Sequence, residues 1–364
     1  MKTVLFVIHR FHYSGAAKAL QLIANGLQRT GEYDVTISTY SNTKPCYFIE
    51  PGVHVITGKE RSRGRIKKYI EPVISIRKII RECCPDIVVS FLNNASFYSL
   101  IASFGLSLKI VVCERSDPYN EKSGLLPFMR KFFRFADGAV FQTEGARQYY
   151  SSLINKSVVI PNIVDCQYEN IIIDSFEKRK NRIDVFSRLE IKQKRLDILV
   201  RSFSFIHEQF PNIILNLYGD GPDEDALKEL KSNLGLDGYV FFKGSTYNVF
   251  EILKDSKITI LTSDYEGIPN SVIDAMAIGI PVVATDTSPG GVRELIKNGE
   301  NGIIVPCGDA KAIADAVIEL LNMPKKAETI SRNATLVREK YSDKIIIPQW
   351  DAYFCKIMKD DKKQ

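Results

Sequence analysis

The residues best suited to chemistry fall in four loops. In the segment Ser263-Asp264-Tyr265-Glu266-Gly267-Ile268-Pro269-Asn270-Ser271-Val272-Ile273-Asp274, a loop acid and a glycine lead into a proline placed to start a helix, and a second acid follows. A carboxylate aimed at a polyhydroxyl ligand accepts two hydrogen bonds in a fixed geometry, as recognition of a sugar or a ribose requires. Spacing by itself proves little, because 43 acids among 364 residues put a carboxylate at any chosen offset about one time in eight. The weight lies in the composite, which continues through Gly279-Ile280-Pro281, an apolar strand pattern and Pro289-Gly290-Gly291. Earlier in the chain, Arg188 directly follows a buried-strand pattern and Lys194 immediately precedes a helical one. A guanidinium fork and an ammonium point charge placed so can converge on a diphosphate, although a solvated basic loop accounts for that segment equally well. Ser14-Gly15-Ala16-Ala17 puts small residues at a helix start, where backbone N–H groups can approach an anion. A plain tight turn is the simpler reading there, since the dinucleotide pattern GxGxxG is absent. Gly219, in Tyr218-Gly219-Asp220-Gly221-Pro222, marks another close-approach turn.

Metal chemistry finds less support. Asp223-Glu224-Asp225 is formally a D-x-D triplet, but it follows Gly-Pro at an expected helix start, where acids are ordinary first-turn residues. His9, His12, His54 and His207 show no ligand spacing. Seven cysteines without any C-x-x-C argue against both a zinc site and a disulfide framework. No metal and no cofactor is therefore expected.

Elements that must position these loops alternate along the chain. Strand patterns at residues 4–8, 35–39, 87–90, 110–113, 139–141 and 158–160 are separated by helical or polar stretches, beginning with an amphipathic run at 16–29. After residue 180 the rhythm restarts, with strands at 183–186, 213–218, 239–242, 258–261, 281–284 and 302–305. Such alternation implies α/β architecture: two doubly wound parallel sheets in series, each with helices on both faces. Ligands of these sheets bind beyond the carboxyl ends of the strands, and the chemical loops sit there. The polar, charged stretch 166–181 reads as the linker. The expected domains are residues 1–166 and 167–342, with a terminal helix at about 343–364 packing back on the first.

At 45% hydrophobic and 25% charged residues, the composition is that of an ordinary globular protein. No apolar run approaches the roughly 20 residues of a spanning helix, and the chain is expected in the cytoplasm. Its net charge of +6 is uneven: residues 1–180 carry 25 basic against 16 acidic groups, the remainder 24 against 27. A basic half can meet nucleic acid or an anionic membrane, and charge alone does not choose. Two segments favour the membrane. Residues 59–68 contain six cations in ten, and residues 125–135 interleave three cations with Phe128, Phe132, Phe133 and Phe135 on an expected helix. A helical stripe of Phe128, Phe132 and Phe135 facing the core would need the same periodicity.

Taken together, the loops resemble the family 4 glycosyltransferases, retaining enzymes of the GT-B fold, over essentially the whole chain and most specifically between Ile183 and Pro306. That resemblance implies two Rossmann-like domains facing across a cleft, the first binding acceptor and the second a nucleotide sugar. It implies that Arg188 and Lys194 neutralise the donor diphosphate, that Glu266 contacts the donor sugar and that Asp274, standing where the family's second Glu is common, contacts the ribose. Gly267, Ile268, Pro269, Asn270 and Ser271 would line the sugar and phosphates. Ser14-Gly15 matches the family's Gly-Gly loop with Ser in first place, and Gly219 would also face the donor. Pro161-Asn162-Ile163-Val164-Asp165 resembles the segment that closes the first domain. Many members place a His at the end of a first-domain strand; here Arg115 stands nearest, and Arg115 and His12 are the candidate acceptor or sugar contacts. The implied activity is metal-independent transfer of a hexose or N-acetylhexosamine from a UDP-sugar to a lipid-linked saccharide, in capsule or lipopolysaccharide synthesis, peripherally on the inner face of the cell membrane and without nucleic acid. Two alternatives stand beside it: a non-hydrolysing nucleotide-sugar 2-epimerase, which shares the fold but depends on histidines of which the C-terminal half has only His207, and a non-catalytic polyanion-binding protein exploiting the basic half, which gives no reason for the Glu266–Asp274 composite.

Overall fold

A computed structural model of the chain describes residues 1–11, 14–43, 46–58, 67–120, 122, 124–246 and 248–359. The chain divides into two compact units, residues 1–163 with 343–364, and residues 164–342. The passage between them falls at Ile163–Val164, three residues before the boundary expected from sequence.

Strands β1 (Lys2–Ile8), β2 (Tyr33–Thr39), β3 (His54–Thr57), β4 (Ile87–Phe91), β5 (Lys109–Cys113), β6 (Gly138–Phe141) and β7 (Ser157–Val159) form the sheet of the first unit. They pair in parallel in the order β3-β2-β1-β4-β5-β6-β7, with Val4 opposite Val35 on one side and Ile87 on the other. Central strands are apolar on both faces because helices cover both, and β4 is buried at every residue. Helices α1 (Gly15–Arg29), α2 (Lys67–Cys83), α3 (Asn93–Ala102), α4 (Leu126–Arg130) and α5 (Glu144–Tyr149) follow in chain order. A C-terminal helix, Asp343–Lys359, completes this unit: Trp350 and Phe354 are fully buried, Lys2 Nζ lies 2.9 Å from Asp351, and Arg29 pairs with Asp343 at 2.9 Å.

The second unit repeats the plan. Its strands β8 (Lys180–Phe186), β9 (Ile214–Tyr218), β10 (Val240–Gly244), β11 (Ser256–Leu261), β12 (Val282–Thr285) and β13 (Ile303–Val305) pair in parallel in the order β10-β9-β8-β11-β12-β13. The connecting helices are α6 (Leu196–Gln209), α7 (Glu224–Asn233), α8 (Val249–Leu253), α9 (Asn270–Ile278), α10 (Gly291–Leu295), α11 (Ala310–Asn322), α12 (Pro324–Ala334) and α13 (Val337–Lys340). Ile183, Val185, Leu215, Leu217 and Ile260 pack with Leu199 and Phe203 of α6 and Ile313 and Val317 of α11 into one apolar core. No helix among the described residues is long and apolar enough to cross a membrane.

Three local expectations change. Residues 125–135 form not one helix but α4 followed by a 3₁₀ turn, Lys131–Phe135. The tighter turn eclipses positions three apart and rotates the buried face. Phe133 is the side chain it buries, stacked 5.1 Å from Tyr150, while Phe128 and Phe135 stand exposed. Second, the stretch expected as linker contains 3₁₀ turns at Cys166–Tyr168 and Phe176–Lys178 whose Tyr168 and Phe176 are buried in the second unit, and β8 has begun by Lys180. Third, β3 and α2 are not among the elements expected from sequence. The first is a short edge strand, exposed at both ends, and the second carries Pro72 inside the helix, which interrupts the helical signal. Residues 59–66 of the basic run lie outside the described residues, as does His12.

Candidate active site

In the second sheet, consecutive strands part company between β8 and β11: from β8 the chain continues to β9 and β10 on one side, and from β11 to β12 and β13 on the other. At such a switch point the loops leaving the two strands diverge, and a crevice opens beyond their carboxyl ends. The loop after β8 carries Arg188 and Lys194, and the loop after β11 carries Glu266. Two loops that are 72 residues apart in sequence at Lys194 and Glu266 meet at this point.

Several bonds join them. Lys194 Nζ donates to Glu266 Oε1, and Ser263 Oγ donates to the same oxygen at 2.7 Å. Thr262 Oγ1 donates to Lys194 O at 2.7 Å, the Asp264 amide to Gln193 O at 2.9 Å, and Gln193 Nε2 to Tyr265 O at 3.0 Å. Arg195, held in the left-handed region with φ +49°, places Nη1 at 3.1 Å from Asp264 Oδ2 and Nε at 3.3 Å from Asp197. Its hydrogen bond to Asp197 raises the Arg195 pKa above the usual guanidinium value, burial opposes this, and the bond to Asp264 adds to the rise. The Glu266 amide donates to Ser288 O at 2.9 Å, which ties in the loop after β12. The Glu266 carboxylate is thus fixed in direction at 12% side-chain exposure, whereas Arg188 is 65% exposed, with Glu190 at 3.6 Å as its ion-pair partner. Arg188 is thus the more open of the two cations in this loop, and the Lys194 ammonium is paired with Glu266.

The remaining loops show why small residues stand where they do. Gly219 has φ +141°, and a Cβ there would lie 1.9 Å from Ser187 O, so glycine lets the loop after β9 press against the Arg188 loop. At Gly291 a Cβ would lie 1.7 Å from Gly267 O, and the same argument joins the loops after β12 and β11. Asp223 Oδ2 accepts from the Ile191 amide at 2.7 Å, and Glu224 pairs with Lys228 at 2.6 Å, so the first two acids of the D-x-D triplet have partners at the start of α7. Pro269 is the N-cap of α9 and gives no side-chain cap; Ile268 is buried, and Asn270 and Ser271 open the helix. Asp274, in the second turn, is buried and accepts a hydrogen bond from Tyr168, whose pKa is raised by burial first and by Asp274 next. The expected ribose contact therefore already has a partner within its own unit. A separate cavity of about 300 Å³ opens at the amino edge of this sheet, away from Lys194 and Glu266, and its Lys257 ammonium donates to the carbonyls of Phe176 and Glu177.

In the first unit the expected site residues meet a different environment. Ser14 is the N-cap of α1, its Oγ accepting from the Ala17 amide at 3.2 Å, and Gly15 begins the helix. Arg115 is buried rather than presented at a loop tip: its guanidinium lies 4.6 Å from the Phe91 ring and 5.8 Å from Trp350, and Nη1 donates to Asn162 Oδ1 at 3.1 Å. Burial lowers the Arg115 pKa. Nη1 is thus held by Asn162, while Nε and Nη2 are buried without a hydrogen-bond partner among the described residues. His9 stacks on Tyr40, and His207 of the second unit packs against Tyr239.

Residues 13–168 match the model of a family described as Glycosyltransferase Family 4, and residues 169–337 match Glycosyl transferases group 1. The chain belongs to the family 4 glycosyltransferases. A Haemophilus influenzae protein described as an uncharacterized glycosyltransferase is 24% identical to this transferase over 96% of the chain and 99% of its own. The Campylobacter jejuni enzyme named GalNAc-alpha-(1->4)-GalNAc-alpha-(1->3)-diNAcBac-PP-undecaprenol alpha-1,4-N-acetyl-D-galactosaminyltransferase is 24% identical over 92% of the chain and 93% of its own. Among solved structures, Anabaena HepE in complex with UDP-glucose superposes with a TM-score of 0.80 at 19% identity, covering 98% of the transferase and 100% of HepE. Sucrose-phosphate synthase of Thermosynechococcus elongatus reaches 0.83 at 16% identity, over 98% and 99%. The fold of the transferase is GT-B. Of the residues around its switch point, Ser263, Gln193, Arg195 and Tyr168 were not found from sequence. Ser263 carries a faint signal, a hydroxyl three residues before a loop acid; Tyr168 lies 106 positions from Asp274 and carries none.

Proposed function

We propose that this protein is a retaining glycosyltransferase that needs no metal ion and moves a hexose or N-acetylhexosamine from a UDP-sugar to a saccharide acceptor carried on a lipid. It works in surface-polysaccharide synthesis, peripherally on the inner face of the cell membrane. The observation that carries this reading is the Lys194–Glu266 pair at the switch point between β8 and β11, with the exposed Arg188 in the same loop.

Breaking the bond between the sugar and the diphosphate builds negative charge on the leaving phosphate and positive character at the anomeric carbon. Preorganised cations stabilise that phosphate charge more than any other device open to such a reaction, because they need no reorganisation at the moment of bond breaking. Arg188 binds the diphosphate as a fork and Lys194 as a point charge. As phosphate takes over Lys194, Glu266 is left to Ser263 on one side and to the sugar hydroxyls on the other. The backbone at Gly267, Ile268 and Pro269 and the first residues of α9, Asn270 and Ser271, line the sugar and phosphates. The acceptor hydroxyl attacks the anomeric carbon on the face the diphosphate leaves, its proton passing to the departing phosphate oxygen, so configuration is kept. The UDP donor is supported by HepE, solved with UDP-glucose, and by Staphylococcus aureus TarM, solved with UDP. The lipid-borne acceptor is supported by the Campylobacter relative, whose name specifies an undecaprenol diphosphate.

Incubation with a panel of nucleotide sugars in EDTA, with product NMR, tests the reading. Slow release of nucleoside diphosphate and a sugar of retained anomeric configuration is expected. An epimerised nucleotide sugar, no reaction with any donor, or activity recovered only by adding Mn²⁺ or Mg²⁺ would each overturn it.

A further inference from the structure

On one face of the first unit, three neighbouring elements expose large apolar side chains. Helix α3 and the loop after it run from Leu92 to Leu108 without a single charged residue, yet Phe104 at the end of α3 is 84% exposed and Ile101 is also open to solvent. Beside α3 lie α4 and the 3₁₀ turn, where Phe128 is 53% and Phe135 68% exposed. On its other flank, α2 exposes Ile70 and Ile74, and Arg77 Nη1 ties that helix to α3 by donating to Ala102 O at 2.6 Å and Phe104 O at 2.9 Å.

These groups are connected. Ring centroids step from Phe97 of α3 to Phe128 at 6.4 Å and to Phe132 at 4.9 Å, and from Phe132 to Phe135 at 5.9 Å. Beneath them Phe133 stacks on Tyr150, so the layer rests on the core of the unit. A soluble surface rarely leaves so many aromatic rings together in water.

Basic residues outnumber acids on this face: α2 carries Lys67, Lys68, Arg77, Lys78 and Arg81 against Glu71 and Glu82. Residues 87–113 contain no Asp or Glu, and neither do residues 122–136, whereas Lys131 and Arg134 stand exposed among the phenylalanines. Arg134 lies 5.8 Å from the Phe135 ring, with its Nε donating to Lys131 O. Rings that can sink to the depth of the headgroup–acyl boundary, beside cations that stay among the headgroups, are what an interfacial membrane protein presents.

We propose that the face built from α2, α3, α4 and the Lys131–Phe135 turn is an interfacial docking surface for an anionic bilayer, with Phe104, Phe128 and Phe135 entering the interface and Lys131 and Arg134 meeting lipid phosphates. This rests on the peripheral-membrane reading above and specifies its surface. The basic excess selects an anionic partner, and the exposed rings select one with apolar depth, a combination that a layer of anionic lipid headgroups over acyl chains offers.

The test is sedimentation with phosphatidylcholine vesicles, with and without phosphatidylglycerol, at low and high salt. Wild type is expected to sediment with the anionic vesicles, and less so as salt screens the cations. The variant Phe104→Ser/Phe128→Ser/Phe135→Ser should lose about tenfold or more of its partitioning, since each ring forfeits its apolar transfer. Lys131→Gln/Arg134→Gln should lose roughly fivefold per cation and most of the salt dependence. Melting temperatures check that both variants fold. Should the triple variant fail to, Phe104→Trp read by fluorescence decides, because the emission of the fully buried Trp350 is a constant background: a blue shift on anionic vesicles relative to the wild-type spectrum supports the surface, and an unchanged spectrum overturns it. Wild type that stays in the supernatant, or a triple variant that sediments equally, also overturns it. So does a change of oligomeric state in the triple variant without a change in vesicle binding, which would make the face a contact between copies of the chain. Donor hydrolysis is measured in parallel without lipid: retained hydrolysis with no vesicle binding ends this proposal alone, and vesicle binding with no hydrolysis ends the transferase reading alone.

Discussion

The carboxyl edges of the two sheets hold similar residue types in opposite situations. At the end of β5 in the first unit, Glu114 is fully buried. Its Oε2 accepts from Tyr150 at 2.7 Å and lies 3.5 Å from the buried Arg130, and its Oε1 accepts from Ser116 Oγ at 2.8 Å and from the amides of Arg115 and Ser116. Asp117 accepts from the Tyr119 amide and from Asn120, and Arg130 Nη1 donates to Pro118 O. The charges there are spent within their own unit, on the loop itself and on Arg130 of α4 and Tyr150 at the end of α5. At the ends of β8 and β11, Arg188 is largely open to solvent, and the acid Glu266 pairs with the partly exposed Lys194 ammonium. Charge buried among satisfied partners shapes a loop; charge left partly in water and paired with a movable side chain can be traded for a ligand. The two sheets share an architecture, and the difference lies in where each side chain finds its partner.

Substitutions on each side sharpen or break this contrast. The largest effect is expected from Arg130→Met, which strands the buried Glu114 carboxylate and should destabilise the first unit by about 3–5 kcal/mol, read as a lower urea midpoint for the transition of that unit. An unchanged midpoint would mean that the first edge is not a structural network. Glu266→Ala, Lys194→Ala and Arg188→Ala should each reduce turnover by roughly 10²-fold with the melting temperature nearly kept, as when one transition-state charge partner is removed. Near-normal rates in folded Glu266→Ala and Arg188→Ala would remove the second edge from the chemistry. Ser263→Ala frees the Glu266 carboxylate without removing it, and a loss of about tenfold in kcat with little change in KM is expected; Ser263→Thr, which keeps the hydroxyl, should recover most of it. The smallest effect is expected from Tyr168→Phe, which takes a donor from Asp274 and should cost about 1 kcal/mol of stability while leaving kcat alone. Asp274→Ala, by contrast, should raise the donor KM; equal loss of kcat in both variants would place Asp274 closer to the reaction than its burial suggests.

Much of this molecule follows from local rules. Alternating β-branched strands and amphipathic helices dictate two parallel sheets, because a strand that is apolar on both faces is stable only between helix layers. The loops at the strand ends are equally legible: Pro269 starts α9, Gly279 ends it at φ +84°, and the Gly-Pro turn precedes α7. Arg188, Lys194 and Glu266 stand out in sequence because they fall in strand-to-helix loops, where ligands of parallel sheets bind, beside glycine and proline signals. What sequence leaves open is each side chain's partner. Arg115 and Arg188 occupy similar positions after a strand, yet Arg115 is enclosed by Phe91, Trp350 and Asn162, which come from three distant segments. Phe132 and Phe133 are neighbours of one type, and only the 3₁₀ turn decides that Phe133 is the fully buried ring. Tyr168 reaches Asp274 across 106 residues. Periodicity reports which face of an element is apolar, but pairing between loops depends on sheet order, and the order β10-β9-β8-β11-β12-β13 is set by the packing of the whole unit. That order is what brings the Lys194 loop against the Glu266 loop.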